Sequence, residues 1–329
     1  MQTLTTLVPL AMLWVVAIWG AEHSLWLTAL ATVGITLFLV RVFALMHECG
    51  HGSLYRSPSA NRLMGFAFGV ISGMPQYVWS QHHDYHHRHN GNWERYRGPL
   101  ATLSVDEYML LSPSQRRRYW LARHILLAPV GGFLYLILNP RINWLKGNAA
   151  LLWHLLRGQP IATFQCRYWK TWKEYRHMSA NNIVLAGALV AACITVGTGL
   201  ALSIYVLSLS VAGGVGIMLF TVQHNFDNAY ATSTDGWDLD QGAMTGTSFL
   251  VLPGWMNWFT ANIGYHHVHH LSAAIPNYRL VACHREYQHL FDSVPRVRLS
   301  QVPAALKCLL WDRSSERIIP LSKATLTKR

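Results

Sequence analysis

Histidine is the residue type in this sequence that most clearly points to chemistry. The 329-residue chain contains 18 histidines, and twelve of them fall in four short segments. Imidazole nitrogens are common ligands of first-row transition metals, so this density predicts a metal site. The segments are MHECGHGS from Met46, SQHHDYHHRHN from Ser80, VQHNFDNAY from Val222 and GYHHVHHL from Gly264.

The spacing of these histidines suits helices. Positions i, i+3 and i+4 of a helix share a face, so HxxxH presents two imidazoles together and HxxHH presents three. Eight such imidazoles exceed one tetrahedral zinc site but suit two first-row metals, and we predict two irons. The sets that fit are His47/His51, His83/His86/His87 and His266/His269/His270, while His82, His86 and His89 form an alternative face at i, i+4 and i+7.

Two other interpretations of these histidines explain less of the pattern. His47 to His51 also reads HExxH, the zinc-hydrolase helix in which glutamate activates water, but a membrane metalloprotease would leave the six HxxHH histidines unexplained. A non-enzymatic metal transporter would place its ligands along a path within spanning helices, not at helix ends. Isolated histidines near apolar helix ends are predicted to be interfacial residues rather than ligands: His23, His124, His154, His177 and His289.

The elements that must position these side chains belong to a membrane protein. Hydrophobic residues make up 51% of the chain and charged residues only 13%, against about 25% in ordinary soluble domains. The fold class predicted is all-α integral membrane, with four transmembrane helices in two hairpins, re-entrant or interfacial helices and a cytoplasmic di-iron cap. The hairpins cover residues 7–45 and 183–222, and the short segments 63–78 and 125–138 are the re-entrant or interfacial ones.

The distribution of basic residues predicts the sidedness. The connectors at 21–24 and 199–203 contain no Lys or Arg, whereas the larger polar segments contain nearly all of them. Both termini and the histidine segments are therefore expected in the cytoplasm. The net charge of +12 suits anionic lipid head groups or an acidic protein partner, and no nucleic-acid-binding motif accompanies it. Residues 1–329 are expected to form a single domain.

These segments resemble a known family, the membrane fatty acid desaturases of the acyl-lipid branch. HECGHGS is similar to the first histidine box, HDYHHRHNGN to the second, QHNFDNAY to the Gln-His-x-Phe-Glu stretch, and WFTANIGYHHVHHLSAAIPNYRLVACH to the third box. The similarity runs in order from about residue 41 to 284. The sequence departs from the family pattern at Asp227, at the additional His89 and at Ala273-Ala274, which bears on the substrate more than on the reaction.

The resemblance implies a di-iron oxidase that uses dioxygen and two reducing equivalents to introduce a double bond into a fatty acyl chain. The acyl group would belong to a membrane lipid, or to acyl-CoA or acyl carrier protein. Electrons would come from a separate donor such as ferredoxin, since no appended haem domain is expected. A hydroxylase or oxygenase of acyl, alkane or carotenoid chains is the alternative. The location implied is the bacterial inner membrane.

The same resemblance selects the ligands. In the second segment it favours His83, His86 and His87, so His82, His89 and His267 are expected not to bind metal. His224 is expected as a ninth ligand, because it follows an apolar run that returns to the cytoplasmic edge. The full predicted set is His47, His51, His83, His86, His87, His224, His266, His269 and His270.

Groups around the ligands were assigned from proximity in sequence. Outer contacts to the imidazoles were considered for Glu48, Asp84, Asp227 and Asn262, each of which could equally be a solvated or capping residue. Aromatic residues could line an acyl tunnel, although an interfacial aromatic belt is the preferred interpretation. These aromatic residues are Trp79, Phe249, Trp255, Trp258 and Phe259.

Overall fold

The computed structural model describes residues 1–98 and 100–323, and most of these residues are helical. A π-helical turn at Phe133–Leu138 joins α7 to α8. The α-helices are α1 Gln2–His23, α2 Leu25–His51, α3 Pro58–Ile71, α4 Gln76–His89, α5 Val105–Met109, α6 Pro113–Leu121, α7 Ala128–Gly132, α8 Asn139–Leu156, α9 Trp172–Val196, α10 Thr198–His224, α11 Leu239–Met244, α12 Gly254–Phe259, α13 His266–Leu271, α14 Asn277–Glu286 and α15 Val302–Ala305.

Short strands form two small sheets. The strands are β1 Leu103–Ser104, β2 Ala229–Tyr230, β3 Phe249–Val251, β4 Arg296–Arg298, β5 Cys308–Asp312 and β6 Arg317–Pro320. The larger sheet has the order β1-β5-β6-β2, with β1 parallel to β5 and the other pairs antiparallel. In the smaller sheet β3 runs parallel to β4.

Among the described residues, five helical segments are long and apolar enough to cross a membrane, one more than the sequence predicts. The additional segment is Ile125–Leu156, for which a short re-entrant or interfacial element was expected at 125–138. Pro140 does not end this segment because it lies in the first turn of α8, directly after the π-helical turn, where proline is tolerated. The other four are Gln2–His23, Leu25–His51, Trp172–Val196 and Thr198–His224.

The described residues divide into two compact units. The first contains residues 1–50, 57–81 and 129–213, and the second contains residues 51–56, 82–128 and those from 214 onward. Because each unit is built from separated stretches of sequence, the division does not correspond to a single boundary along the chain.

The first unit is a set of packed apolar helices with a few internal polar contacts. The Thr28 hydroxyl donates to the Ala17 carbonyl at 3.0 Å, which ties α2 to α1 directly after their turn. Further along the pair, Arg41 Nε donates to the Thr6 hydroxyl at 3.0 Å. Gly147 of α8 faces the ring of Trp169 so closely that a Cβ would overlap it. These contacts satisfy polar groups inside helices that are otherwise apolar.

The second unit has its own core around the larger sheet. The rings of Trp93 and Trp311 stack at 4.5 Å, and Trp311 Nε1 donates to the Ala231 carbonyl. A neighbouring cluster contains Tyr119, whose hydroxyl donates to the Leu309 carbonyl at 2.6 Å and accepts from Leu103 N at 3.1 Å. This one hydroxyl therefore connects β1 to β5.

The buried Tyr119 hydroxyl gives a test of this core. Tyr119→Phe should lower the free energy of unfolding by about 1–3 kcal/mol, because two backbone groups of the sheet lose their partner. Thermal unfolding of the purified protein in detergent measures the effect. Tyr108→Phe is the control, since Tyr108 packs against the same cluster. Its hydroxyl has no hydrogen-bond partner among the described residues. Equal unfolding midpoints for the two variants would contradict the assignment.

Candidate metal centre

Four buried histidines converge in the second unit at the ends of three helices. His86 comes from α4, His224 is the last residue of α10, and His266 and His270 lie one turn apart on α13. Their candidate ligand atoms all lie within 4.8 Å of one another. The Nε2 atoms of His266 and His224 are 2.9 Å apart. We call these four residues group B.

A second set, group A, lies beside group B and comprises His51, His83, His87 and His269. His51 ends α2, and its ring lies 4.7 Å from that of His87 and 4.9 Å from that of His269. One turn earlier on α2 lies His47, which is buried in the first unit. The rings of His87 and His270 stack at 4.1 Å, so the two groups are adjacent.

The arrangement of the imidazole nitrogens suits bound metal ions better than hydrogen bonds between the rings. The Nε2 atom of His87 lies 3.0 Å from that of His83 and 3.1 Å from that of His269. An imidazole nitrogen has one in-plane position, filled by a proton or by a lone pair, so it cannot bond both neighbours. In group B the buried Nε2 atom of His270 has no hydrogen-bond partner among the described residues. Nitrogens that face a common point are the arrangement a bound cation needs.

Electrostatics keep the ring of His270 in the form that binds metal. Burial, followed by the neighbouring imidazoles of His87 and His266, holds the pKa of His270 well below its ordinary value. The ring is therefore neutral at physiological pH. A neutral ring keeps a lone pair available for a cation.

The comparisons with known proteins agree with this geometry. Residues 24–300 match the family described as fatty acid desaturase. The chain belongs to the fatty acid desaturase family. It is a fatty acyl desaturase, and hence an oxidoreductase, as the motifs predict.

Individual relatives cover most of the chain. A fatty acid desaturase of Bacillus subtilis (strain 168) is 31% identical over 97% of this chain and 84% of its own length. An acyl-lipid (9+3)-(E)-desaturase of Dimorphotheca sinuata is 21% identical over 84% of this chain and 71% of its own. An sn-1 oleoyl-lipid 12-desaturase of Picosynechococcus sp. is 24% identical over 74% of this chain and 63% of its own.

The desaturase orients His224 through a backbone carbonyl. Nδ1 of His224 faces the Gly246 carbonyl at 3.3 Å and donates to it, which leaves the lone pair on Nε2. Asn90, the last residue of the second histidine segment, donates to the Gly242 and Gly246 carbonyls at 2.7 and 3.1 Å. Sequence analysis missed Gly246, because nothing in its neighbourhood signals a contact 22 residues from His224.

Aromatic rings border group B. Phe220 lies 4.9 Å from the ring of His86 and 5.3 Å from that of His224, and Tyr96 lies 4.7 Å from His86. Phe220 precedes His224 by one helical turn, so its position could have been deduced from the i, i+4 rule. These rings limit the access of water to the nitrogens.

In the first unit, the helices that carry the first and second histidine segments approach closely. A Cβ on Gly50, the residue before His51, would lie only 3.2 Å from Cβ of Ser80 on α4. Trp79 packs its ring 5.7 Å from that of His47. Glu48 Oε1 faces His47 Nδ1 at 3.3 Å, a contact that can orient the imidazole.

The histidines expected not to bind metal lie outside both groups. His82 is exposed, and His89 Nδ1 donates to the Tyr85 carbonyl at 2.8 Å. His267 is buried, and its Nε2 lies 2.9 Å from Nδ1 of His284. Groups A and B likewise contain none of the isolated histidines His23, His124, His154, His177 and His289.

Three of the residues considered as outer contacts have other partners. Asp84 forms an exposed ion pair with Arg88 at 2.8 Å. Asp227, considered as a partner for His224, instead pairs with Lys323 at 2.9 Å. Asn262 Nδ2 donates to the Asn277 carbonyl at 3.0 Å, which fixes the loop before α13.

The position of His224 leads to a test on the purified protein. His224→Ala should reduce the bound metal by about half, because group B would keep only three imidazoles. His82→Ala and His89→Ala should keep the full amount, since both side chains lie outside the groups. Metal analysis by mass spectrometry decides the matter. An unchanged metal content in His224→Ala, or a loss in His82→Ala, would contradict the assignment.

Proposed function

We propose that this desaturase uses two irons and dioxygen to introduce a C=C double bond into the acyl chain of a membrane lipid. The observation that carries the proposal is the pair of adjacent imidazole groups in a chain of the fatty acid desaturase family. If the enzyme does not recognise the head group of a membrane lipid, the acyl chain would instead be carried by acyl-CoA or acyl carrier protein.

The ligand set proposed divides nine histidines between the two irons. Group B would hold one ion through His86, His224, His266 and His270. Group A would hold the other, with His47 added from the helix that ends in His51. The spacing of the histidines supports this division. Histidines four residues apart, such as His83 and His87, belong to one group. The middle histidine of each HxxHH segment, His86 or His269, belongs to the other group.

The chemistry explains why histidine-bound metal is needed. Alkyl C–H bonds resist acid–base catalysis, and iron with dioxygen supplies the oxidant that a protein side chain cannot. Adjacent methylenes lose two hydrogens, the donor supplies two electrons, and two protons come from solvent, so that one dioxygen is reduced to two waters. The protein would orient the nitrogens through Gly246 and Glu48, and it would exclude water with Phe220 and Tyr96.

The proposed partners follow from charge and exposure. Apolar side chains such as Val8, Met12 and Val15 of α1 are exposed in the described structure, which suits contact with lipid tails. Two of the relatives are named as acyl-lipid and oleoyl-lipid enzymes, which favours a lipid-bound substrate. The excess of Lys and Arg suits an acidic one-electron donor such as ferredoxin.

Four crossings, with both termini and the metal centre in the cytoplasm of a bacterial inner membrane, remain our proposed topology. The rings of His86 and His224 are 4.5 Å apart, so the chain between them must cross the membrane an even number of times. If α9 and α10 each cross, the segment Ile125–Leu156 does not complete a crossing. Its part-buried Arg141 suits a segment that lies partly in the interface.

Iron content tests the ligand set. The purified protein should bind about two irons. Substituting any one of the nine histidines by alanine should abolish turnover, because one of the two irons would lose a nitrogen ligand. Iron quantification, together with product analysis in membranes, measures both effects. One bound zinc ion with full activity would refute the di-iron proposal and favour hydrolase chemistry.

The products distinguish desaturation from hydroxylation. Expression in a bacterium that lacks polyunsaturated lipids should yield new double bonds, which mass spectrometry with double-bond location would place along the chain. Chains that gain oxygen without unsaturation would instead identify a hydroxylase. Protein in which His86 is replaced by alanine is the negative control.

Cysteine labelling tests the topology in a variant without native cysteines. Gln115→Cys, Lys170→Cys and Ser314→Cys should react only after the membrane is permeabilised, whereas cysteines at His23 and Gly199 should react from outside. Lys170→Cys is decisive, since it lies beyond the segment Ile125–Leu156. Its reaction from outside would mean that this segment crosses the membrane.

A further inference from the structure

A part-buried arginine lies in the apolar segment Ile125–Leu156 and has no carboxylate partner among the described residues. Arg141 of α8 donates through Nη1 to the Gly73 and Ile137 carbonyls, and through Nη2 to Asn181 Oδ1 at 3.0 Å. Charged side chains within such segments are costly and usually have a specific role. The contacts of Arg141 indicate that its role concerns the turn at Gly73.

The same turn is held by a second helix. Asn181 of α9 is 1% exposed, and its Nδ2 donates to the Met74 carbonyl at 3.3 Å. Two consecutive carbonyls of the turn between α3 and α4 are therefore bound by side chains from α8 and α9. Because Asn181 also accepts from Arg141, the three elements form one connected network.

The turn has little space in which to shift. Gly73 has φ +70°, and a Cβ at this position would lie 3.0 Å from Cδ1 of Ile137, in the π-helical turn before α8. A Cβ on Gly69 would lie 2.6 Å from the Met74 carbonyl oxygen. Wide helical turns of the π type often occur at functional sites, and here the turn brings Ile137 against Gly73.

This turn determines where α4 begins. α4 runs without interruption from Gln76 to His89 and contains His83, His86 and His87. A shift of one residue along the helix would move each imidazole by about 1.5 Å and rotate it by about 100°. Because His83, His86 and His87 belong to this one continuous helix, a loosened turn would displace them together by a fraction of this distance.

We propose that Arg141 and Asn181 are positioning residues that fix the axial position of α4, and with it the point of the acyl chain that is oxidised. The inference rests on the proposed ligand set, because the second histidine segment must hold metal for the position of α4 to matter. Neither residue touches the reacting atoms.

The test compares Arg141→Met, Arg141→Lys, Asn181→Leu and the double variant Arg141→Met/Asn181→Leu. Lys146→Met is the matched control, since Lys146 lies exposed on the same helix. Each protein is expressed in the bacterium that lacks polyunsaturated lipids. Three quantities are measured: the position of the oxidised carbon, the iron content and the unfolding midpoint.

We expect Arg141→Met and Asn181→Leu to lower conversion by about tenfold or more and to spread the oxidised position over neighbouring carbons, with iron content near that of the unchanged protein. The loss of conversion in the double variant should be smaller than the product of the two single losses, because both residues act on one turn. Arg141→Lys should recover part of the conversion, since its ammonium can still donate to a carbonyl. Lys146→Met should leave all three quantities unchanged.

Two results would overturn the inference. One is full conversion at a single position in both Arg141→Met and Asn181→Leu. The other is a lower unfolding midpoint and iron content with the oxidised position unchanged, which would make the network only a stabilising one. If the unchanged protein hydroxylates its substrate, the proposed function is wrong, but the position of the oxidised carbon still tests Arg141 and Asn181.

Discussion

An imidazole nitrogen offers a single in-plane proton or lone pair, and several such nitrogens here face the same points in space. Nε2 of His87 lies close to two others, and Nε2 of His266 faces that of His224. Hydrogen bonds among the rings cannot satisfy all of these atoms. The ends of four helices must be held accurately enough to keep the nitrogens convergent, and much of the polar network serves this purpose.

The network combines local and distant contacts. Asn90 fixes the loop that supplies the Gly246 carbonyl, and that carbonyl orients His224. At the other end of α4, the turn at Gly73 is bound by α8 and α9. Gly50 lets α2 and α4 approach closely, since a Cβ there would lie only 3.2 Å from Cβ of Ser80. Each of these contacts acts on the direction of a helix rather than on the chemistry itself.

Periodicity in the sequence predicts part of this arrangement. The i, i+3 and i+4 spacing identifies which rings share a helical face, but adjacent residues such as His86 and His87 diverge by about 100°, so they point to different groups. The extended helix at 125–156 was missed because Asn139-Pro140 looks like a break, although proline is compatible with a first turn. Asp227 pairs with Lys323, 96 residues away, and no local pattern reveals such a contact.

The helix ends have an electrostatic consequence. His51 and His224 are the last residues of α2 and α10, and His86 and His87 lie in the last turn of α4. Aligned peptide dipoles place roughly half an elementary negative charge at the carboxyl end of a helix. Three such ends lie beside groups A and B, so the backbone would offset part of the positive charge of metal ions bound there. With the proposed irons bound, the secondary structure would thereby favour the more oxidised states of the centre.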